Sequence, residues 1–311
     1  MIGNLSTPLL WALGGLYALL LIASLIVWIL QRRNPGDHGE LAARINSWWI
    51  MITIFTLAVT VSTRLSIIFF ALVSFLALKE YLAMITTRRA DRRVVFWAFL
   101  AIPLQFYWIA ISWYGMFIIF IPVYMFLLLP TRMVLIGETK GFLKAAGTLH
   151  WGLMTTVFSI SHAAYLLALP SSTSTPAGGA GLLFFLVFLS QFNDVAQYTW
   201  GKLFGKHPVV PKVSPKKTVE GLLGGVLTTT LTAWLIAPYL TPLEAGWAPL
   251  AGLIIGLSGF FGDVVISAIK RDIGVKDSGN LIPGHGGIMD RIDSLTFTAP
   301  LFFHYIYYLY Y

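Results

Sequence analysis

Two stretches of the chain concentrate the residue types that handle phosphate and metal. The first holds Asn193 and Asp194, then Gly201-Lys202 and Gly205-Lys206. It continues through Ser214, Lys216, Lys217, Thr218 and Glu220. The second holds Asp263, Ser267, Lys270, Arg271, Lys276 and Asp277. It continues through His285, Gly286, Gly287, Asp290, Arg291 and Asp293. Carboxylates bind a divalent cation through oxygen, and lysine and arginine bind phosphate. Together they suit a nucleoside triphosphate, because Mg2+ usually takes one or two protein carboxylates and completes its shell with water and substrate phosphates.

Spacing sharpens this expectation. Asp263 and Lys270 are seven apart and share a helix face. Asp290 and Asp293 are three apart and share one too. The Gly286-Gly287 pair permits close backbone approach to a ligand. A helix starting near Met289 would offer free N–H groups to an anion. Gly-Lys at 201–202 and 205–206 lacks the full phosphate-loop spacing and is not read as one.

The rest of the chain must position these groups, and it is built for lipid. Of 311 residues, 57% are hydrophobic and 11% charged, against about 25% charged in soluble domains. No cysteine is present, which excludes disulfides, thiolate metal sites and cysteine nucleophiles. Runs of about 20 apolar residues mark membrane helices. They fall near 9–30, 47–63, 65–84, 94–112, 114–130, 147–169, 180–200, 221–240, 247–266 and 295–311. The expected fold is therefore all-α, a polytopic membrane protein of about ten spans. Residues 1–137 form scaffold helices and 138–311 a catalytic region, within one continuous membrane domain. No Lys or Arg precedes the first apolar run, which reads as a span and not as a cleaved signal.

Of the 21 Lys and Arg residues, 20 lie in alternate loops and only Arg64 lies in the others. Positive loops stay cytoplasmic, so the N-terminus is expected outside and both polar stretches inside. The net charge of +8 follows from that topology and not from nucleic acid, since no basic helix lies outside the spans. Arg88, Arg89, Arg92 and Arg93 read as a membrane-surface cluster. Residues 170–179, rich in Ser, Thr, Pro and Gly, read as an external linker. Glu80, beside Lys79 at a helix end, reads as an interfacial charge. His150 and His162 read as helix-packing residues, and Gly221, Gly224 and Gly225 as close helix contacts.

One pattern is more specific than the rest. It is Ser267-x-x-Lys270-Arg271-x4-Lys276-Asp277-x4-Ile282-Pro283-x-His285-Gly286-Gly287-x2-Asp290-Arg291-x-Asp293. This resembles the signature of the phosphatidate cytidylyltransferase (CDP-diacylglycerol synthase) family. The first stretch resembles that family's other polar block, with Val219 where a Trp is common. Ile266 stands where an acidic residue is frequent in the signature.

The resemblance implies transfer of CMP from CTP to phosphatidic acid, giving CDP-diacylglycerol and pyrophosphate for phospholipid synthesis. It implies Asp263 and Asp290 as ligands of Mg2+, with a monovalent cation such as K+ nearby. Asp263, Asp290, Lys270 and Arg271 are then the expected catalytic residues. Asn193, Asp194, Ser214, Lys216, Lys217, Glu220, Lys276, Asp277, His285, Arg291 and Asp293 are the expected substrate contacts. Expected partners are CTP, phosphatidic acid or a related lipid phosphate, and membrane lipids, with a homodimer left open. The expected location is a bacterial inner membrane. The rival readings are a CTP-dependent lipid-alcohol kinase and a transporter. The kinase would have to deprotonate a hydroxyl, and the transporter would place charges at midplane in symmetric halves.

Overall fold

The computed structural model describes residues 6–33, 39–85, 88, 91–170 and 176–311. Arg89 and the middle of the expected external linker, 171–175, lie outside them. The chain forms α1 (Thr7–Arg33), α2 (Gly39–Val61), α3 (Thr63–Met84), α4 (Arg92–Ala110) and α5 (Tyr114–Ile119). These are followed by α6 (Phe126–Val134), α7 (Phe142–Leu153), α8 (Ser159–Leu166) and α9 (Gly178–Phe204). After a short hairpin come α10 (Val219–Leu240), α11 (Ala248–Asp272), α12 (Met289–Ile292) and α13 (Leu295–Tyr310).

Eight helical runs among the described residues are long and apolar enough to cross a membrane. One of them joins α5 to α6 through a π turn at Phe120–Met125. The other two expected spans are helical as well. The sixth is α7 and α8 joined by a π turn at Met154–Phe158. The tenth, α13, has 16 residues, about 24 Å of helix, less than the roughly 30 Å of a bilayer core. The apolar faces point outward, as a lipid-facing surface requires: Trp11 is 78% exposed and Leu143 82%.

Local chemistry sets the breaks. Ser62 separates α2 from α3: it is extended, and its Oγ accepts from Leu65 N at 3.2 Å. Ser112, at φ +54, turns the chain between α4 and α5. Thr218 caps α10, accepting from Gly221 N at 3.1 Å.

Helices α9, α10 and α11 pack closely because glycines let them. A Cβ on Gly225 would run into the Gln197 side chain, and one on Gly224 into the Trp200 ring. His162 is fully buried, with Nδ1 2.7 Å from the Phe158 carbonyl oxygen, as a packing residue should be.

The segment after α9 is not an open loop. Strands β1 (Pro208–Val210) and β2 (Ser214–Thr218) pair antiparallel, Val210 opposite Ser214. Each strand of a two-stranded ribbon has one unpaired side, where a proline such as Pro208 or Pro215 can be accommodated. Glu220 clasps its base, accepting from Lys206 N at 3.0 Å and His207 N at 3.2 Å.

Candidate active site

Helix α9 carries Asp194, α11 carries Asp263, and the segment around α12 carries Asp290 and Asp293. All four line one cavity of roughly 910 Å3, together with Lys276, Asp277, His285 and Arg291. The packing of α11 on the following segment makes this convergence possible. Gly262 lies so close to the Asp293 and Ser294 backbone that a Cβ would meet the Asp293 carbonyl oxygen at 2.6 Å.

Each carboxylate has a different environment. Asp263 Oδ2 pairs with Lys217 Nζ at 2.6 Å, and its Oδ1 accepts from Ser267 Oγ at 3.1 Å. The same ammonium lies 4.8 Å from the Phe260 ring centre. Asp194 accepts from Ser294 Oγ at 3.1 and 3.0 Å. Asp290 is the most heavily engaged. Its Oδ1 takes Lys270 Nζ at 2.7 Å. Its Oδ2 takes Ser278 N at 2.8 Å, Ser278 Oγ at 3.0 Å and Gly287 N at 3.0 Å. Burial raises the Asp290 pKa, but the bonds from Lys270, Gly287 and Ser278 outweigh it and hold the carboxyl below the ordinary range. Asp293 is pushed well above that range by burial, then by the charges of Asp263 and Asp194. Burial also lowers the His285 pKa, with help from the Arg291 charge, so the ring is neutral at pH 7.

Of the expected site residues, eight line the cavity, and Lys217 and Lys270 reach it through their paired carboxylates. Five do not face it. Asn193 is fully buried between helices: its Nδ2 donates to the Gly256 carbonyl at 3.1 Å and its Oδ1 accepts from Thr229 Oγ1 at 3.1 Å. Ser214 and the exposed Lys216 lie in β2, and Glu220 clasps the hairpin. Arg271 is exposed, with Nε 3.3 Å from the Val213 carbonyl oxygen, and ties the hairpin to α11.

The anion expected at the start of α12 is supplied by the chain itself. Glu80 Oε1 accepts from Ile288 N and Oε2 from Met289 N, both at 2.9 Å. Glu80 is therefore a loop anchor and not an interfacial charge. The sequence did hold a signal: a carboxylate inside an apolar helix needs a partner, and adjacent Lys79 on the same helix turn points elsewhere. Ser278 and Ser294 also went unnoticed, as serines commonly do when only charge is counted.

The polar cavity has an apolar neighbour. A second cavity of roughly 200 Å3 shares Trp48, Gln191 and Arg291 with it and is walled by Ile52, Phe55, Phe70 and Phe184. A third, of roughly 680 Å3, shares Leu16, Phe184 and Phe188 with the second.

The match to known proteins accords with this arrangement. Residues 42–309 match the model of the cytidylyltransferase family. The chain belongs to that family. A protein of Escherichia coli described as uncharacterized protein YnbB is 50% identical over 298 residues, 96% of this chain and 98% of that protein. The phosphatidate cytidylyltransferase of Mycobacterium leprae is 43% identical over 120 residues, 39% of this chain and 38% of that one. The enzyme of that name from Staphylococcus epidermidis is 35% identical over 153 residues, 49% of this chain and 59% of that one. The match thus spans between 38% and 59% of the length of these two named enzymes. The family, with its helices, makes it a multi-pass membrane nucleotidyltransferase.

Proposed function

We propose that this cytidylyltransferase joins CTP to phosphatidic acid or a related lipid phosphate at the cytoplasmic face of a bacterial inner membrane. The products are CDP-diacylglycerol and pyrophosphate. The observation that supports this is the junction of a carboxylate- and cation-lined cavity with an apolar one at Trp48, Gln191 and Arg291. A nucleotide suits the first space and an acyl chain the second. The charged loops face the cytosol, where CTP is found.

In the proposed reaction the lipid phosphate is the nucleophile. It is mostly a dianion at neutral pH, so no strong general base is needed. One of its oxygens bonds to the α-phosphorus of CTP, and the bond to the bridging α–β oxygen breaks. That electron pair leaves with pyrophosphate. The difficulty is bringing anions together, so the work of the protein is positioning and charge. Arg291 stands at the junction and meets the lipid phosphate. Lys276 lines the nucleotide side and takes charge developing on pyrophosphate. Lys217 and Lys270 hold Asp263 and Asp290 in place.

Asp263 and Asp290 are the proposed holders of Mg2+, whose chemistry would be neutralisation of the triphosphate. Their hard oxygen donors fit it, as does the like-charge crowding of Asp263 with Asp194 and Asp293. Mg2+ at such a site commonly completes its shell with water and substrate phosphates. A monovalent cation such as K+ belongs to the same proposal.

Purified protein in detergent, given CTP labelled at the α-phosphate and a panel of lipid phosphates, tests the reading. Label in CDP-lipid supports it. Transfer only of a γ-label to a lipid alcohol would establish the kinase instead.

A further inference from the structure

The loop that carries Asp290 is held from outside the catalytic half. Helix α2 grips one end: Ser47 Oγ donates to the Pro283 carbonyl at 2.7 Å, and the Trp48 ring meets His285 edge-on at 5.8 Å. Helix α3 grips the other. Glu80 accepts from the amides of Ile288 and Met289, the two residues before Asp290. Gly287 lies against the Glu80 carboxylate, and an added Cβ would strike it and Ser278 Oγ.

Ser278 links the two carboxylates. Its Oγ lies 3.1 Å from Glu80 Oε2 and 3.0 Å from Asp290 Oδ2. A hydroxyl has one proton, so it donates to one of them at a time. Glu80 therefore touches Asp290 through three links: two adjacent amides and a shared serine. A carboxylate that must take and release a cation needs such outer partners to hold its orientation.

We propose that Glu80, on the scaffold helix α3, is a positioning residue for Asp290. It fixes the height and rotation of the 286–290 backbone above the cavity, and Ser278 passes that constraint to the Asp290 carboxylate. Through Glu80 the scaffold half thus shapes the active site at a residue that does not itself line the cavity. The effect on turnover rests on the cytidylyl-transfer reading; the effect on the loop does not.

The test uses the full chain in detergent, as wild type, Glu80→Gln, Glu80→Asp and Ser278→Ala. Glutamine keeps the volume but replaces one acceptor with a donor facing an N–H. In Glu80→Gln at least one of the Ile288 and Met289 amides should exchange hydrogen at least about tenfold faster, because one of their two acceptor oxygens is lost. Mn2+ alone, followed by its paramagnetic resonance, should bind about tenfold more weakly. The Mg2+ concentration for half-maximal turnover should rise in step, with KM for CTP within about twofold. Glu80→Asp should recover part of each effect, and Ser278→Ala should weaken Mn2+ while leaving exchange at Ile288 and Met289 slow.

Unchanged exchange and unchanged Mn2+ affinity in Glu80→Gln would overturn the inference. So would a loss of activity that only tracks a lowered melting temperature, with the Mg2+ requirement unmoved. Wild-type protein inactive with every lipid phosphate would refute the proposed reaction and not this positioning role, which exchange and Mn2+ binding decide by themselves.

Discussion

The segments 205–220 and 273–293 each contain lysine, carboxylate, glycine and proline, yet they serve different ends. The first folds on itself. Its strands pair, Glu220 closes its base, and Arg271 pins it to α11. Only Lys217 reaches across to the cavity, through Asp263. The second also bonds within itself, Ser278 and Gly287 donating to Asp290, but it lies between α11, α2 and α3, with Lys276, Asp277, His285, Asp290, Arg291 and Asp293 on the cavity wall. Each segment has five charged residues, so their number does not distinguish them. The difference is that α2 and α3 anchor the second segment at Pro283, Ile288 and Met289 and leave its charged side chains on the cavity wall.

Asp290→Asn should break the contrast most sharply if it is wrong. Loss of the carboxylate charge should lower turnover by at least about 100-fold, as removal of a charge-stabilising group does. Size-exclusion chromatography should show the protein still folded. Near-normal turnover would remove the second segment from the chemistry.

Next in size is Lys217→Met, which leaves Asp263 without its ammonium partner. Turnover should fall about 10- to 100-fold. A smaller loss than that of Lys216→Ala would reverse the assignment within the hairpin.

Gly225→Ala tests the packing beneath both segments, since the new methyl meets Gln197. The expected cost is about 1–3 kcal/mol of stability, read from thermal unfolding in detergent. No change would mean that α9 and α10 are less tightly apposed than described.

Lys216→Ala should be mildest. The side chain is exposed, and its loss should alter kcat/KM by no more than about threefold, the scale of a weak surface interaction. A tenfold rise in KM for CTP would show that the hairpin bends over the nucleotide.

The membrane character of the chain was legible because burying about 20 apolar residues leaves a long, unbroken signal. All ten expected spans are helical over most of their length, and several ends are displaced: Ser62 stops α2, while α2 begins at Gly39 and not near 47, and α11 runs on to Asp272. The hairpin was not legible, because its strands are three and five residues long and show no clear alternation. The site was legible where charge must sit in apolar surroundings, as at Asp194 and Asp263. It was misread at Asn193 and Glu220, whose polar atoms are consumed by backbone and helix neighbours. A sequence gives a polar residue no indication of which partner it will find.

By itself, the order of residues determined a helical membrane protein and the family to which it belongs, and it marked most of the candidate carboxylates and cations that the fold brings to one cavity. Those follow from transfer energies and from a motif read along one segment. Only the tertiary structure decided that Lys217 belongs to Asp263 and Lys270 to Asp290, and that Glu80 holds a loop more than 200 residues away. Such pairings depend on which helices meet, and side-chain partners across that distance leave no periodic trace in the chain.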